Sequence, residues 1–289
     1  MKKWWIYLLA IALPIHYAFY HQNVKRAPGF SIDKITPFEH AYNPDFHIPY
    51  SDTETQQVKD ILKRPFSYFG SGRTCYAFLS DDGTYVLKLF KQRRMRPFSR
   101  FEKILGYGLI PHCQKKLQQR LSNRNKLFTS FKIAHHDLKE ETALIYLHLQ
   151  PSNHLKQPLF LTSKDGQPFT LDADSMEFLI QKRAERTFPA LTNMIETGQI
   201  EAAQNAIHSI VELITTRCQK QIDDDDNNCE RNIGLLDGKA IEIDIGEFTY
   251  NPQISSSDVK QHVQTATEDL YTFLKTHYPN FYESIQNTR

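Results

Sequence analysis

Asn232 and Asp244 stand on either side of a segment whose pattern predicts a β-hairpin, and that placement makes them candidate metal ligands. Residues 232–236 read as a short strand, Asp237-Gly238 as a two-residue turn, and residues 240–245 as the returning strand before Gly246 releases the chain. The Asn232 amide and the Asp244 carboxylate then lie side by side at the open end of the hairpin. One neutral and one charged oxygen ligand suit a hard divalent cation such as Mg, whose remaining positions water and phosphate oxygens can fill. The same residues would also suit an ordinary acidic surface hairpin.

A second group of residues could handle phosphate. Gly70 and Gly72, in Gly70-Ser71-Gly72, lie between two predicted strands at residues 66–69 and 75–79, and Asp82-Gly83 turns the chain into a third at residues 85–90. Glycines let backbone approach a triphosphate closely, and Lys88 alternates to the face opposite Leu87 and Leu89, where it could supply a point charge to phosphate oxygens.

In their order and spacing these residues resemble the protein-kinase superfamily. Gly70 and Gly72 match the first two glycines of its glycine-rich loop, with Cys75 at the third position, and Lys88 in Val86-Leu87-Lys88-Leu89 matches its strand-three lysine. Asn232 matches the catalytic-loop asparagine, and Asp244-Ile245-Gly246 the metal-binding DFG segment. The resemblance covers roughly residues 66–250. It implies an α+β, two-lobed fold with a small antiparallel-sheet lobe and a mainly helical lobe, binding ATP and Mg. It also implies a nucleotide partner held by Gly70, Gly72 and Lys88, with the metal on Asn232 and Asp244.

Two parts of that pattern depart from the family. The catalytic base belongs five residues before the asparagine, which falls on Asn227; Asp226 is the candidate base if the loop carries one extra residue. Glu102 is the sole acid between Lys88 and Asp137, so it is the candidate ion-pair partner of Lys88. About forty residues follow Asp244-Ile245-Gly246, too few for a peptide-binding platform; compact bacterial lipopolysaccharide and sugar kinases and the minimal RIO-type kinases end similarly.

These residues need elements to hold them. At 289 residues, with 40% hydrophobic and 12% aromatic content, the chain can bury a core of one large domain or two lobes. A helix is expected at residues 53–62 and paired strands at 132–137 and 143–149, followed by a hinge at Gln150-Pro151-Ser152. A hairpin about Asp165-Gly166 comes next, then a helix capped by Asp172 or Asp174 running into Phe178. Residues 201–219 carry Ala203, Ala206, Ile207, Ile210 and Ile214 at helical spacing, and one more helix is expected from residue 256 with a short one after Pro279. The domains expected are a membrane anchor or signal segment at 1–26, a linker at 27–52, an N-terminal kinase-like lobe at 53–150 and a C-terminal one at 151–289.

The apolar run of residues 4–20 follows Lys2 and Lys3 and lacks a small-residue cleavage site. This favours a single-pass N-terminal anchor over a signal peptide cleaved before secretion. Residues 88–132 hold thirteen Lys or Arg against one Glu, a local charge of +12 in a chain whose total is +2. An anionic membrane surface is the partner such a field suits; nucleic acid is not expected, since no aromatic-interleaved base-stacking motif accompanies it. Cys75, Cys113, Cys218 and Cys229 show no metal spacing and read as thiols, with a bridge between Cys218 and Cys229 conceivable in an oxidising compartment.

Three functions are compatible with this reading: an ATP-dependent phosphotransferase, a pseudokinase scaffold or nucleotide-binding module, and a membrane-tethered structural protein. Convergence of Lys88 and Asp244 on one cleft separates the first two from the third.

Overall fold

The computed structural model describes residues 29–38, 42–98, 102, 104, 106–226, 228–255 and 257–286. The apolar segment expected to anchor the chain lies outside them. Among the described residues no helix is long and apolar enough to cross a membrane.

Period-two alternation builds the first three strands where the sequence places them: β1 (Pro65–Ser71), β2 (Cys75–Ser80) and β3 (Tyr85–Phe90). Four more strands join them, β4 (Leu144–His148), β5 (Pro158–Thr162), β6 (Pro168–Asp172) and β7 (Phe178–Lys182). The sheet order is β4-β7-β3-β2-β1-β5-β6, and the β1–β5 pair is parallel, so the sheet is mixed rather than purely antiparallel. Gln150 to Ser152 is therefore not a hinge but the approach to the β5–β6 hairpin, which adds to the outer edge of β1. The chain then returns to the sheet as β7, between β3 and β4. Passage to the helical half falls at Arg183-Ala184, after β7.

The helix expected to run into Phe178 is instead a single 3-10 turn at Ala173–Ser175, capped by Asp172, and β7 follows it. Local capping chemistry was read correctly there, but the four-residue buried run Phe178-Leu179-Ile180-Gln181 is short enough to suit a central strand. The opposite correction applies to residues 132–137. They finish a helix of 27 residues, Pro111–Asp137, rather than forming a strand. Leu127, Phe128, Phe131 and Ala134 bury at helical spacing, and the rings of Phe128 and Phe131 stand 5.3 and 5.0 Å from that of Phe90 on the sheet. Preceding this helix (α2) is α1 (Asp52–Leu62), started by a reciprocal capping box between Ser51 and Glu54.

Among the described residues of the stretch expected to be a linker, several pack into the core. Ile35 is fully buried, Phe30 meets Phe78 edge-on at 5.0 Å, and Phe46 meets Phe128 at 5.1 Å. Pro, His and aromatic residues without period look like a linker in sequence, yet the aromatic rings supply the burial that ties an irregular segment down.

The second half contains α3 (Thr187–Glu196) and α4 (Ile200–Gln219), whose apolar stripe packs beneath a three-stranded sheet ordered β11-β10-β8. Those strands are β8 (Glu185–Arg186), β10 (Ile233–Leu236) and β11 (Lys239–Glu242); β9 (Ile222–Asp224) pairs separately with β12 (Phe248–Tyr250). Gly234 is obligatory there, because a Cβ would meet Ala184 and the Glu185 carbonyl at 2.8 Å. A four-residue helix α5 (Cys229–Asn232) enters β10. The single helix expected after residue 256 is broken at Thr267, whose hydroxyl donates to the Val263 carbonyl at 2.7 Å. It becomes α6 (Val259–Ala266) and α7 (Glu268–His277), with α8 (Pro279–Gln286) closing the chain. Cys218 and Cys229 are free and buried, as is Cys75.

Candidate functional site

Lys88 sits on the middle of β3, opposite Ala77 on one side and Leu179 on the other. Its half-buried ammonium reaches across the gap between the two halves of the molecule. It donates to the Gln181 Oε1 at 2.9 Å and to the backbone carbonyl of Ile243, the residue before Asp244. Burial pushes its pKa down, and the Asp244 carboxylate opposes that shift by favouring the charged form. Lys88 and Asp244 thus lie within electrostatic reach of each other. Gln181, which the sequence reading missed, is buried on β7 and donates its amide to the carbonyls of Thr142 at 2.6 Å and Glu242 at 2.8 Å. Its one legible signal was a polar residue closing an apolar strand.

Asn232 ends α5, a turn capped by Asn228, whose side chain accepts from Arg231 N. The Asn232 carbonyl accepts from the backbone N–H of Ile243 at 2.6 Å and of Asp244 at 3.3 Å, so the hairpin's two ends are clamped together at the candidate ligands. The Asn232 amide N–H donates to the backbone carbonyl of Asp226, which leaves Oδ1 as the side chain's acceptor. Asp244 is exposed at the mouth of the cleft, and the next residues are held from behind by α2. The Ser130 hydroxyl donates to the Ile245 carbonyl and accepts from Phe248 N at 2.8 Å. Gly246 keeps α2 close, since a Cβ there would stand 3.3 Å from Leu127.

The donor set fits one class of metal. Among the described residues no three His, Cys, Asp or Glu side chains are grouped to hold an ion. An oxygen pair from Asn232 and Asp244 suits a hard cation that takes most of its ligands from water and phosphate, which is the habit of Mg and not of Zn.

The acidic run divides into residues with different work. Asp224 points inward from β9, within 3.2 Å of the buried Arg217 guanidinium, which also holds Glu242. Burial pushes the Asp224 pKa up to about 7 against the pull of Arg217, and the adjacent Glu242, itself raised by burial, adds to the rise. Asp223 receives Asn251 Nδ2 at 3.2 Å, while Asp226 is exposed, its carboxylate 3.8 Å from Arg231. Asp226 is therefore the acid of this run whose backbone is tied to Asn232 and whose carboxylate is open to solvent. Asn227, the alternative register, lies outside the described residues.

The β1–β2 turn leads into Cys75, which lies within electrostatic reach of both Lys88 and Asp244. A bulge between Tyr68 and Gly70 bends β1, and Gly72 N bonds the Cys75 carbonyl at 3.0 Å. A Cβ at Gly70 would meet nothing within 4 Å, and at Gly72 only the Cys75 carbonyl at 4.0 Å, so internal packing does not require either glycine. Lys91 ties the turn from β3, donating to the Ser71 hydroxyl at 2.7 Å and to the Gly72 carbonyl, and Arg73 pairs with Glu247 beyond Gly246. Neither contact was anticipated. Glu102 does not reach Lys88: its carboxylate lies 3.3 Å from Arg96, and the helix packed nearest, α2, carries no acid before Asp137.

No protein-family model matches the chain, and no curated protein matches it in sequence. Among solved structures it is similar to WbdD, at 15% identity and a TM-score of 0.36 over 71% of this chain and 38% of that one. A second WbdD structure, described as a bifunctional kinase-methyltransferase, overlaps at 16% identity and a TM-score of 0.32 over 68% of this chain and 34% of that one. Rv3197 of Mycobacterium tuberculosis, solved in complex with erythromycin, overlaps at 14% identity and a TM-score of 0.34 over 95% of this chain and 67% of its own. The chain spans little more than a third of the WbdD structures. All three of these TM-scores lie below 0.5.

Proposed function

We propose that this protein is an ATP-dependent phosphotransferase with a kinase-like, two-lobed arrangement, the sheet half and the helical half meeting at Lys88 and Asp244. The observation that carries the reading is the Lys88 ammonium held against the backbone of Ile243, under the field of Asp244 and beside the Asn232–Asp244 clamp. When bound, Mg-ATP supplies the phosphoryl group and the metal charge that neutralises it. Lys88 would exchange its Gln181 and Ile243 acceptors for phosphate oxygens, which desolvation makes stronger partners. Gly70 and Gly72 leave room for a triphosphate beneath the turn, and Asn232 Oδ1 with the Asp244 carboxylate would hold Mg. Asp226 would orient an acceptor hydroxyl and take its proton. Gln181 acts as a positioning residue for Lys88 where a glutamate partner is missing.

The test uses the full chain. Mg-ATP at about a hundredfold excess over its dissociation constant is expected to stabilise the parent by about 2.7 kcal/mol. Lys88→Met and Asp244→Ala should each abolish that shift, and chelation of Mg should weaken it. Asp226→Asn should keep the shift while abolishing phosphate transfer. An unchanged melting temperature in the parent at millimolar nucleotide would reject nucleotide binding; binding with no transfer in the parent would leave a nucleotide-binding module without catalysis.

A further inference from the structure

A second polar cavity of about 520 Å³ lies away from the cleft. It opens between the 3-10 turn Ile32–Lys34, residues 92–98 and the first half of α2. Among the described residues five cationic side chains line it, Lys34, Arg93, Arg96, Lys116 and Arg120, against the two carboxylates of Asp33 and Glu102. The lining is therefore net positive by three charges, and Glu102 is already engaged by Arg96.

The cations work against one another. The Lys34 pKa is lowered by burial and by Arg93, and that of Arg120 by burial and by Arg96, although Glu102 offsets part of the latter. Arg120 Nη1 is shielded from solvent with no hydrogen-bond partner among the described residues. One turn further along the same helix, Arg124 has both nitrogens of its fork on the Glu177 carboxylate. Two arginines on one helix are thus left in opposite states, and Arg120 is the one facing the cavity. A half-buried guanidinium among like charges has a strong preference for an oxyanion, and a planar fork suits phosphate.

We propose that this cavity is a binding site for a phosphate-bearing ligand, separate from the nucleotide cleft and independent of whether the protein transfers phosphate. It shares no lining residue with Lys88, Asn232 or Asp244, so loss of one site should leave the other. The phosphate could come from a soluble polyanion or from a lipid headgroup, and the chemistry recognised is the same.

The experiment measures binding of inositol hexakisphosphate to the full chain by calorimetry, without Mg. Arg93→Gln combined with Arg120→Gln should weaken binding by at least about tenfold, while Lys88→Met leaves it unchanged. Lys115→Gln with Lys126→Gln removes the same charge from exposed positions of α2 outside the cavity, and should cost much less. Equal losses from the two pairs would overturn the site in favour of unspecific attraction, as would no loss from the cavity pair. A second readout needs no variant: Cys113 lines the cavity and is partly accessible, whereas the other three cysteines are buried. Bound polyanion should slow alkylation of Cys113 by iodoacetamide, and unchanged alkylation at saturating polyanion would also overturn the proposal. Flotation with phosphatidylcholine vesicles, plain or carrying a phosphoinositide, then assigns the source. Phosphoinositide-dependent binding that the cavity pair abolishes identifies a headgroup; polyanion binding without flotation identifies a soluble ligand.

Discussion

Each half of the molecule buries an arginine, and the two are treated differently. In the sheet half Arg124 meets a single carboxylate, Glu177, at 2.6 and 2.9 Å, and Gln92 Nε2 bonds the same carboxylate at 2.8 Å. The guanidinium also lies over the Phe128 ring at 4.2 Å. Charge balances, and the group fastens α2 to the residue just ahead of β7. In the helical half Arg217 faces two carboxylates, Asp224 and Glu242, and Glu242 Oε2 has no hydrogen-bond partner among the described residues. That cluster carries an excess acid. The balanced group lies in the scaffold, whereas the unbalanced one joins β9 to β11, the strands that lead to Asp226 and Asp244. Unmatched buried charge tends to collect where a site must be held in place.

The largest effect should come from removing the one cation in the unbalanced cluster. Arg217→Met leaves two carboxylates buried together and is expected to cost at least about 4 kcal/mol in chemical denaturation. A loss under about 1 kcal/mol would mean that water already reaches them. Arg124→Met should cost about 3 kcal/mol, and adding Glu177→Leu should restore most of it, because replacing a whole buried pair by apolar groups is often neutral. If the double variant stays as unstable as the single, the pair does more than satisfy itself.

The pH dependence sharpens the comparison further. Folded Asp224 keeps its proton to about pH 7, whereas an unfolded aspartate loses it near pH 4. Between those values the folded state binds more protons, so this group's contribution is present below the window and is lost as pH rises through it. His135 and His148, both pushed down to about 4 by burial, act in the opposite sense between there and about pH 6.5. The readout is therefore the difference between parent and variant. Relative to the parent, Asp224→Asn should gain at least about 2 °C in melting temperature on going from pH 5 to pH 8. A difference that does not vary with pH would place the titration elsewhere. The smallest effect belongs to an exposed pair: Arg73→Ala breaks the contact to Glu247 and should change stability by less than about 1 kcal/mol, vanishing in high salt.

Much of the candidate site was legible before any coordinates. Gly72 and Lys88 fall where turn residues and period-two alternation put them, Gly70 ends inside β1 rather than between strands, and the Asp237-Gly238 turn brings Asn232 to Asp244. Each of those inferences needs only neighbours within a few residues. Glu102 failed because the argument was one of elimination along the chain, while the actual acceptors of Lys88 are Gln181 and a backbone carbonyl 155 residues away. Elimination by charge cannot find a neutral partner.

By itself, then, the sequence determined the hairpins, the helix that follows Ser51 and the long apolar stripe of α4, because turn chemistry and side-chain period act locally. Tertiary structure alone decided that residues 132–137 continue a helix, that residues 178–182 are a central strand, and that Ile35, Phe46 and Ile48 belong to the core. Short apolar runs satisfy either period, and what selects between them is the surface they are pressed against. The fates of four similar aspartates were decided the same way: a strand's alternation turned Asp224 toward Arg217, and the turn after it left Asp226 in solvent beside Asn232.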